Sequence, residues 1–241
     1  MDGIAAQKLK ISNDGFAVIE NIYTNYEVNT IASIIEKADY GKATSRQKGE
    51  LFAMRRFLKE VPATIPFIFN NSLKNVICNL FGQDHFVVKS IYFDKPGSSN
   101  WFVAYHQDIT IAVCAKHERQ GFINWTKKQD QFAVQPPLEI LENNFTIRIH
   151  LDDTDENNGA LKVIPGSHAN GINKTGFNPA VDEEHICQVQ KGGIMIMRPL
   201  LMHASGRTLN NKNRRAPSTQ GRRRCAVRAM ASSISSSTVS T

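Results

Sequence analysis

Cysteine is scarce and scattered. Cys78, Cys114, Cys187 and Cys225 stand far apart with no C-x-x-C pair. That spacing argues against a zinc ribbon or a disulfide framework and fits reduced thiols in a cytosolic protein. Long apolar runs are also missing. Stretches such as Ile109 to Ala115 fall well short of the roughly 20 residues a bilayer span needs. The opening Met-Asp-Gly-Ile has no basic-then-apolar signal pattern, and the closing Val-Ser-Thr is not a peroxisomal address. A cytoplasmic protein without membrane contact is the expectation.

Acid is absent from residues 207–241, which hold eight basic residues. Subtracting those eight from the 29 Lys and Arg leaves 21 basic against 22 acidic residues in 1–206. The net charge of +7 therefore sits in the tail, on a nearly neutral body. A basic tail can bind polyanions nonspecifically. No aromatic platform or reader motif accompanies it, so no specific nucleic-acid partner is expected. The 241 residues suit one domain with a full core.

Residues 15–20 (GFAVIE) read as a short strand. Asn25 is placed to cap a helix over 26–38, with Val28, Ile31, Ile34 and Ile35 on one face. A second helix is expected over 63–81, with Ile68, Leu73, Val76, Ile77 and Leu80 as its stripe and Gly82 as its stop. Short β runs follow: 85–94, 101–108, 109–115, 145–151, 160–164, 186–189 and 194–197. Residues 116–143 read as irregular. In 145–151, Phe145, Ile147, Ile149 and Leu151 alternate with Thr146, Arg148 and His150. Helices first, then many short strands with Gly and Pro turns, imply an α+β protein: a β-sandwich or jelly-roll barrel flanked by helices.

The motif that carries chemistry is His106-Gln107-Asp108. Residues two apart on a strand share a face, so an imidazole and a carboxylate converge. Two His and one carboxylate on one face of a metal leave positions open for substrate and O2, the arrangement of non-haem Fe(II) oxygenases. H-x-D alone is a weak signal. The second imidazole must come from elsewhere, from His117, His150, His168, His185 or His203. His203 ends an apolar run entered at Gly192-Gly193, and Ser205 and Arg214 follow it. A guanidinium so placed can grip a carboxylate bidentately. His150 is the nearest rival, and His168 reads as a structural residue in a turn.

Longer stretches resemble the phytanoyl-CoA dioxygenase family. They are GFAVIENIYTNYEV at 15–28, FDKPGSSNW at 93–101, YHQDITIAV at 105–113, VQPPLEILE at 134–142, TIRIHLDDTDENNGALKVIPGSH at 146–168 and GGIMIMRPLLMHAS at 192–205. The resemblance implies a double-stranded β-helix with helices on one side. It implies Fe(II) held by His106, Asp108 and His203, with 2-oxoglutarate and O2 as cosubstrates. It also implies that Arg214 grips the far carboxylate of 2-oxoglutarate with Ser205 assisting. Arg148 is a candidate for the pocket wall, with Trp125 and Lys89 as weaker candidates whose packing or solvent roles weigh as heavily. The activity implied is hydroxylation of an unactivated C–H of a small molecule, with release of succinate and CO2. Asp108 favours hydroxylation over halogenation, since related halogenases carry a small residue there.

One departure stands out. Where the family runs into an apolar closing strand, this chain reads Ala216-Pro217-Ser218-Thr219. Proline is poorly tolerated inside a sheet. The expectation is one domain over 1–215 and a disordered or aberrant tail over 216–241. The alternative function it leaves open is a catalytically impaired, ligand-binding barrel of the same fold.

Overall fold

Phe145, Ile147, Ile149 and Leu151 lie buried in one apolar cluster, while Thr146 and Arg148, one step out of phase, line a cavity on the other side. The period of two along a strand separates the sets, and the fold is layered around that division. The structure, a computed structural model, describes residues 2–38, 45–48, 51–97, 102–128, 131–173 and 184–223. Trp101, at the expected start of a strand, and the tail from 224 onward lie outside the described residues.

The strands are β1 (Phe16–Ile19), β2 (Ser45–Lys48), β3 (Leu51–Arg55), β4 (His85–Lys95), β5 (Val103–His106), β6 (Ile111–Val113) and β7 (Ile123–Lys128). They continue as β8 (Gln131–Gln135), β9 (Asn144–Ile149), β10 (Leu161–Val163), β11 (His185–Cys187), β12 (Ile194–Met197), β13 (His203–Ser205) and β14 (Arg214–Arg223). Among the described residues the larger sheet runs β1-β12-β9-β14-β4-β3-β2, and a second runs β11-β10-β13-β5. Their pairings are antiparallel, and together they make the jelly-roll core. The α-helices are α1 (Asp2–Asn13), α2 (Asn25–Lys37), α3 (Phe57–Glu60), α4 (Ile65–Ile68), α5 (Asn71–Phe81) and α6 (Leu138–Glu142), and three short 3-10 helices join them among the described residues. Val28 and Ile31 of α2 and Leu73 and Val76 of α5 pack into the cluster with Ile147 and Ile149.

Several expectations shift in detail. The cap of α2 is Thr24, not Asn25. The Glu27 N–H donates to Thr24 Oγ1 at 3.2 Å and the Thr24 N–H to Glu27 Oε2 at 2.8 Å, a capping box. The helix expected over 63–81 breaks at Asn70, which caps α5 by accepting the Leu73 N–H at 2.8 Å. α1 was not legible because Leu9 is exposed and Ile11 is its one fully buried apolar residue. Residues 116–143 are more regular than their text suggests. β7 and β8 pair there, and β6 joins β8 to make a third sheet. β7 is exposed at nearly every position, so no apolar alternation marks it.

The main correction concerns the end of the chain. The boundary at 215/216 falls inside β14, which runs between β4 and β9 in the larger sheet. Pro217 is accommodated for a local reason. The Leu151 N–H donates to Arg215 O and the Arg215 N–H to Asp152, so backbone groups two residues on face the same side. On that side β9 pairing begins only at Ser218. The missing proline donor therefore costs no bond to β4. The closing strand is present, built from polar text.

Candidate metal centre and cosubstrate pocket

His106 on β5 stands directly opposite His203 on β13, with ring centroids 4.2 Å apart. Cross-strand partners on antiparallel strands have Cβ atoms about 5 Å apart, so sheet pairing alone brings the imidazoles together. Asp108 joins them: one ligand atom from each of the three residues lies within 4.8 Å of the others. β5 ends at His106, so Asp108 is delivered by the chain just beyond it. Its N–H donates to Pro199 O at 3.0 Å. Gln107 points elsewhere and anchors this segment. Its Nε2 donates to Gly171 O at 2.9 Å and Leu200 O at 2.7 Å, and its Oε1 accepts the Asn173 N–H at 2.8 Å. Gln107 was missed as a positioning residue, although its place between two ligands was a signal.

The imidazoles are fixed in tautomer as well as place. His106 Nδ1 lies 2.9 Å from Ala104 O, and His203 Nδ1 lies 2.9 Å from Leu201 O. A carbonyl only accepts, so each Nδ1 carries a hydrogen, which leaves Nε2 as the nitrogen that the neutral ring offers to a metal. Burial lowers the His203 pKa to about 4, which keeps the ring neutral. Burial works against charge on Asp108, yet Lys89, His203, Arg148 and His106 together hold its pKa below the ordinary value. A neutral His203 ring and an ionised Asp108 are the protonation states that metal binding requires. Two nitrogens and one oxygen on one side of a metal match the donor set of non-haem Fe(II) sites.

Beside this triad lies a cavity of about 120 Å³ lined by Lys95, Arg148, His106, His203, Ser205 and Arg214, among others. Arg214 is buried and its Nη2 donates to Ser205 Oγ at 3.2 Å. The neighbouring Arg215 points to the opposite face and forks onto Asp152 at 2.9 and 3.0 Å. Lys95, also missed in the sequence, lies across the strand pair from Arg214 and donates to Gly206 O. Strand alternation with Lys89, Ile91 and Phe93 could have found it. Gly159 makes room: its φ is +81°, and a Cβ there would meet Lys95 Nζ at 2.7 Å. Burial, with Arg214 nearby, brings the Lys95 pKa down to about 8. The same two influences act on Arg214, where burial and Arg148 lower the pKa to about 9.

A second cavity of about 200 Å³ is lined by Arg55, Lys89, Arg148, His106, Asp108 and His203, with Ser218 and Gln220 from β14. Arg148 and Lys89 thus line the cavity that the triad also borders. Trp125 does not line either cavity. It packs against Ile111, Val134, Leu141 and Leu200, the packing role weighed for it from the start. His150 is buried nearby, with Nδ1 2.8 Å from Thr154 Oγ1, and is not in the group of His106, Asp108 and His203 that could hold a metal ion. His168 lies 3.2 Å from Ser12 O and braces the N-terminal segment.

The sequence profile of the phytanoyl-CoA dioxygenase (PhyH) family matches residues 11–216. The chain belongs to that family. Among solved structures it is similar to EctD from S. alaskensis with 2-oxoglutarate and 5-hydroxyectoine (18% identity, TM-score 0.68, covering 91% of this chain and 76% of that chain). It is also similar to HygX from Streptomyces hygroscopicus with nickel and 2-oxoglutarate bound (14%, 0.64, 91% and 87%). A third is SnoN, a non-heme alpha ketoglutarate dependent epimerase from nogalamycin biosynthesis (12%, 0.68, 99% and 90%). At these identities the likeness establishes the fold. No curated protein matches the chain in sequence. Family membership and the donor set together support Fe(II), with 2-oxoglutarate and O2 as cosubstrates. Among the described residues no helix is long and apolar enough to cross a membrane.

Proposed function

We propose that this phytanoyl-CoA dioxygenase family member is an Fe(II)- and 2-oxoglutarate-dependent dioxygenase that hydroxylates an unactivated C–H of a small organic substrate. The observation that carries this reading is the convergence of His106, Asp108 and His203 within 4.8 Å, next to a buried Arg214. The balanced reaction takes substrate, 2-oxoglutarate and O2 to alcohol, succinate and CO2. When bound, the iron and 2-oxoglutarate supply the oxidising chemistry on O2, and the protein supplies binding, orientation and a dry site.

The residues divide the work. His106, Asp108 and His203 hold the metal and leave its other positions open. Ala104 O and Leu201 O keep both Nδ1 protons in place, so each ring presents Nε2. Arg214, oriented by Ser205, receives the distal carboxylate of 2-oxoglutarate, and Lys95 adds a second positive charge to that end. Phe93 carries the Arg148 guanidinium over its ring at 5.2 Å, which holds Arg148 at the cavity wall. Lys89 belongs to the cavity beyond the triad and serves the substrate side. The alternative of an impaired binding barrel was motivated by a missing closing strand, and β14 occupies that place.

The reading is tested by succinate release coupled to O2 consumption. It requires both to be lost in Asp108→Ala while the protein stays folded. Succinate formation that persists at the wild-type rate in that variant would refute it.

A further inference from the structure

The larger sheet changes character across β9. On one side, Met195 and Met197 of β12 pair with Arg148 and Thr146 of β9. Both methionines are buried in an apolar cluster with Leu161, Val163 and Leu201. On the other side, Ser218 and Gln220 of β14 pair with the same Arg148 and Thr146. Thr146, Ser218 and Gln220 line the cavity of about 200 Å³ that His106, Asp108 and His203 also border. Cross-strand pairing thus gathers two hydroxyls and a carboxamide into one patch beside the triad.

The fold makes no use of these polar atoms. Gln220, Thr146 and Ser218 are 4, 7 and 8% exposed. Gln220 Oε1 is buried with no hydrogen-bond partner among the described residues. The Thr146 and Ser218 hydroxyls likewise have no described partner. A buried carboxamide without a partner costs free energy that an apolar side chain of the same size does not. The neighbouring cations have other work. Lys89 and Arg148 act on Asp108, and Arg148 lies over the Phe93 ring. The unused capacity of Thr146, Ser218 and Gln220 is neutral, donor and acceptor alike. A hydroxyl does both, and rotation about the last Gln220 torsion turns either Nε2 or Oε1 to the cavity.

We propose that Gln220, with Ser218 and Thr146, determines specificity by binding a neutral substrate group that both donates and accepts hydrogen bonds, a carboxamide or a hydroxyl. The oxygenase reading enters only in calling this ligand the substrate. A primary carboxamide can pair with the Gln220 amide through N–H to Oε1 and Nε2–H to C=O. A hydroxyl can bridge Gln220 and a neighbouring Ser218 or Thr146 oxygen. A carboxylate, an ether or a tertiary amide has no hydrogen to donate and leaves Oε1 unpaired. The patch and the triad share one cavity, so the C–H that reacts lies close to the recognised group.

The test is anaerobic calorimetry of the Fe(II)- and 2-oxoglutarate-loaded protein with pentanamide and 1-pentanol. Their methylated counterparts, N,N-dimethylpentanamide and 1-methoxypentane, and sodium pentanoate run alongside. Saturable binding to wild type is expected for pentanamide, for 1-pentanol or for both, and the tighter of the two assigns the group. Gln220→Met and methylation of the probe should each weaken it roughly three- to tenfold. Urea unfolding separates recognition from folding. The midpoint should be unchanged or raised in Gln220→Met and Gln220→Leu, because neither loses a hydrogen bond within the protein. If one of them is destabilised, the other carries the binding comparison. Four results overturn the proposal: no saturable binding of either probe, equal affinity in wild type and the variant, pentanoate binding more tightly than both probes, or a midpoint lowered in both variants. Failure of the oxygenase reading is a separate event. It appears as a missing visible charge-transfer band in wild type, while the pentanamide heat still reports on Gln220.

Discussion

His106 and His203 are cross-strand partners, and the register of β5 against β13 places their ring centroids 4.2 Å apart. The meeting of the two imidazoles is thus a property of sheet pairing, and only Asp108 depends on a loop. Loosening that loop should weaken the metal without unfolding the protein. Gln107→Ala removes three anchoring hydrogen bonds from the segment that delivers Asp108. Loss of an outer partner of a metal ligand lowers metal affinity by roughly 10–100-fold. Competition with a chelator, read as the Fe(II) dissociation constant, checks this. Wild-type affinity in Gln107→Ala would contradict it.

Lys95 gives cosubstrate binding a pH signature. Its pKa in the free protein is about 8, so below that pH the ammonium is charged and attracts the distal carboxylate. Above it the group is neutral and the attraction is lost. The affinity for 2-oxoglutarate should fall as pH rises through about 8 and onward, because the bound dianion itself favours the ammonium. Lys95→Met should bind more weakly at neutral pH, by roughly tenfold, with a flatter profile. Anaerobic titrations of both proteins across this range decide the point, and parallel profiles would count against the role given to Lys95.

His150 should make the fold acid-sensitive. Burial, then Arg214 and Arg148, lower its pKa from 6.5 to about 3. In the unfolded chain it takes up a proton near its ordinary value. Stability is therefore complete above about 6.5 and declines as pH falls towards 3, because the unfolded state binds the extra proton. The slope from one such group is at most about 1.4 kcal/mol per pH unit. Urea unfolding at several pH values should give a shallower acid decline for His150→Asn than for wild type. Equal slopes would rule out His150 as the source.

Gly221 tests whether β14 closes the sheet as described. A Cβ there would lie 2.5 Å from the Phe145 ring, which stacks on Phe81 at a 4.0 Å centroid distance. Overfilling a packed contact of this kind costs about 1–3 kcal/mol. Gly221→Val should lower the unfolding free energy by that amount in a denaturant titration. A neutral effect would mean that β14 does not pack on β9 there.

The strand alternation at Phe145 to Leu151, the H-x-D motif and the Gly192-Gly193 entry to the run before His203 were all legible, because each depends on near neighbours in sequence. With the family resemblance they carried the fold class and the candidate triad. What was not legible depends on context. β14 was dismissed for Pro217 and its polar text, yet its inward residues, such as Ser218 and Gln220, face a polar cavity, so apolar alternation was never required of them. Lys95 fell just outside the strand expected over 85–94, and its partner Gly206 lies far along the chain. Trp125 could not be decided between pocket and packing from its text, since β7 gives no periodic clue to its packing partners.

We propose one role for the triad: His106, Asp108 and His203 hold Fe(II) beside a 2-oxoglutarate pocket. Its most direct test is anaerobic titration of Fe(II) and 2-oxoglutarate into wild type and His106→Ala, watching for the weak visible metal-to-ligand charge-transfer band. A saturating band is expected in wild type and none in His106→Ala. A folded wild-type protein without the band, or an equal band in the variant, would contradict it.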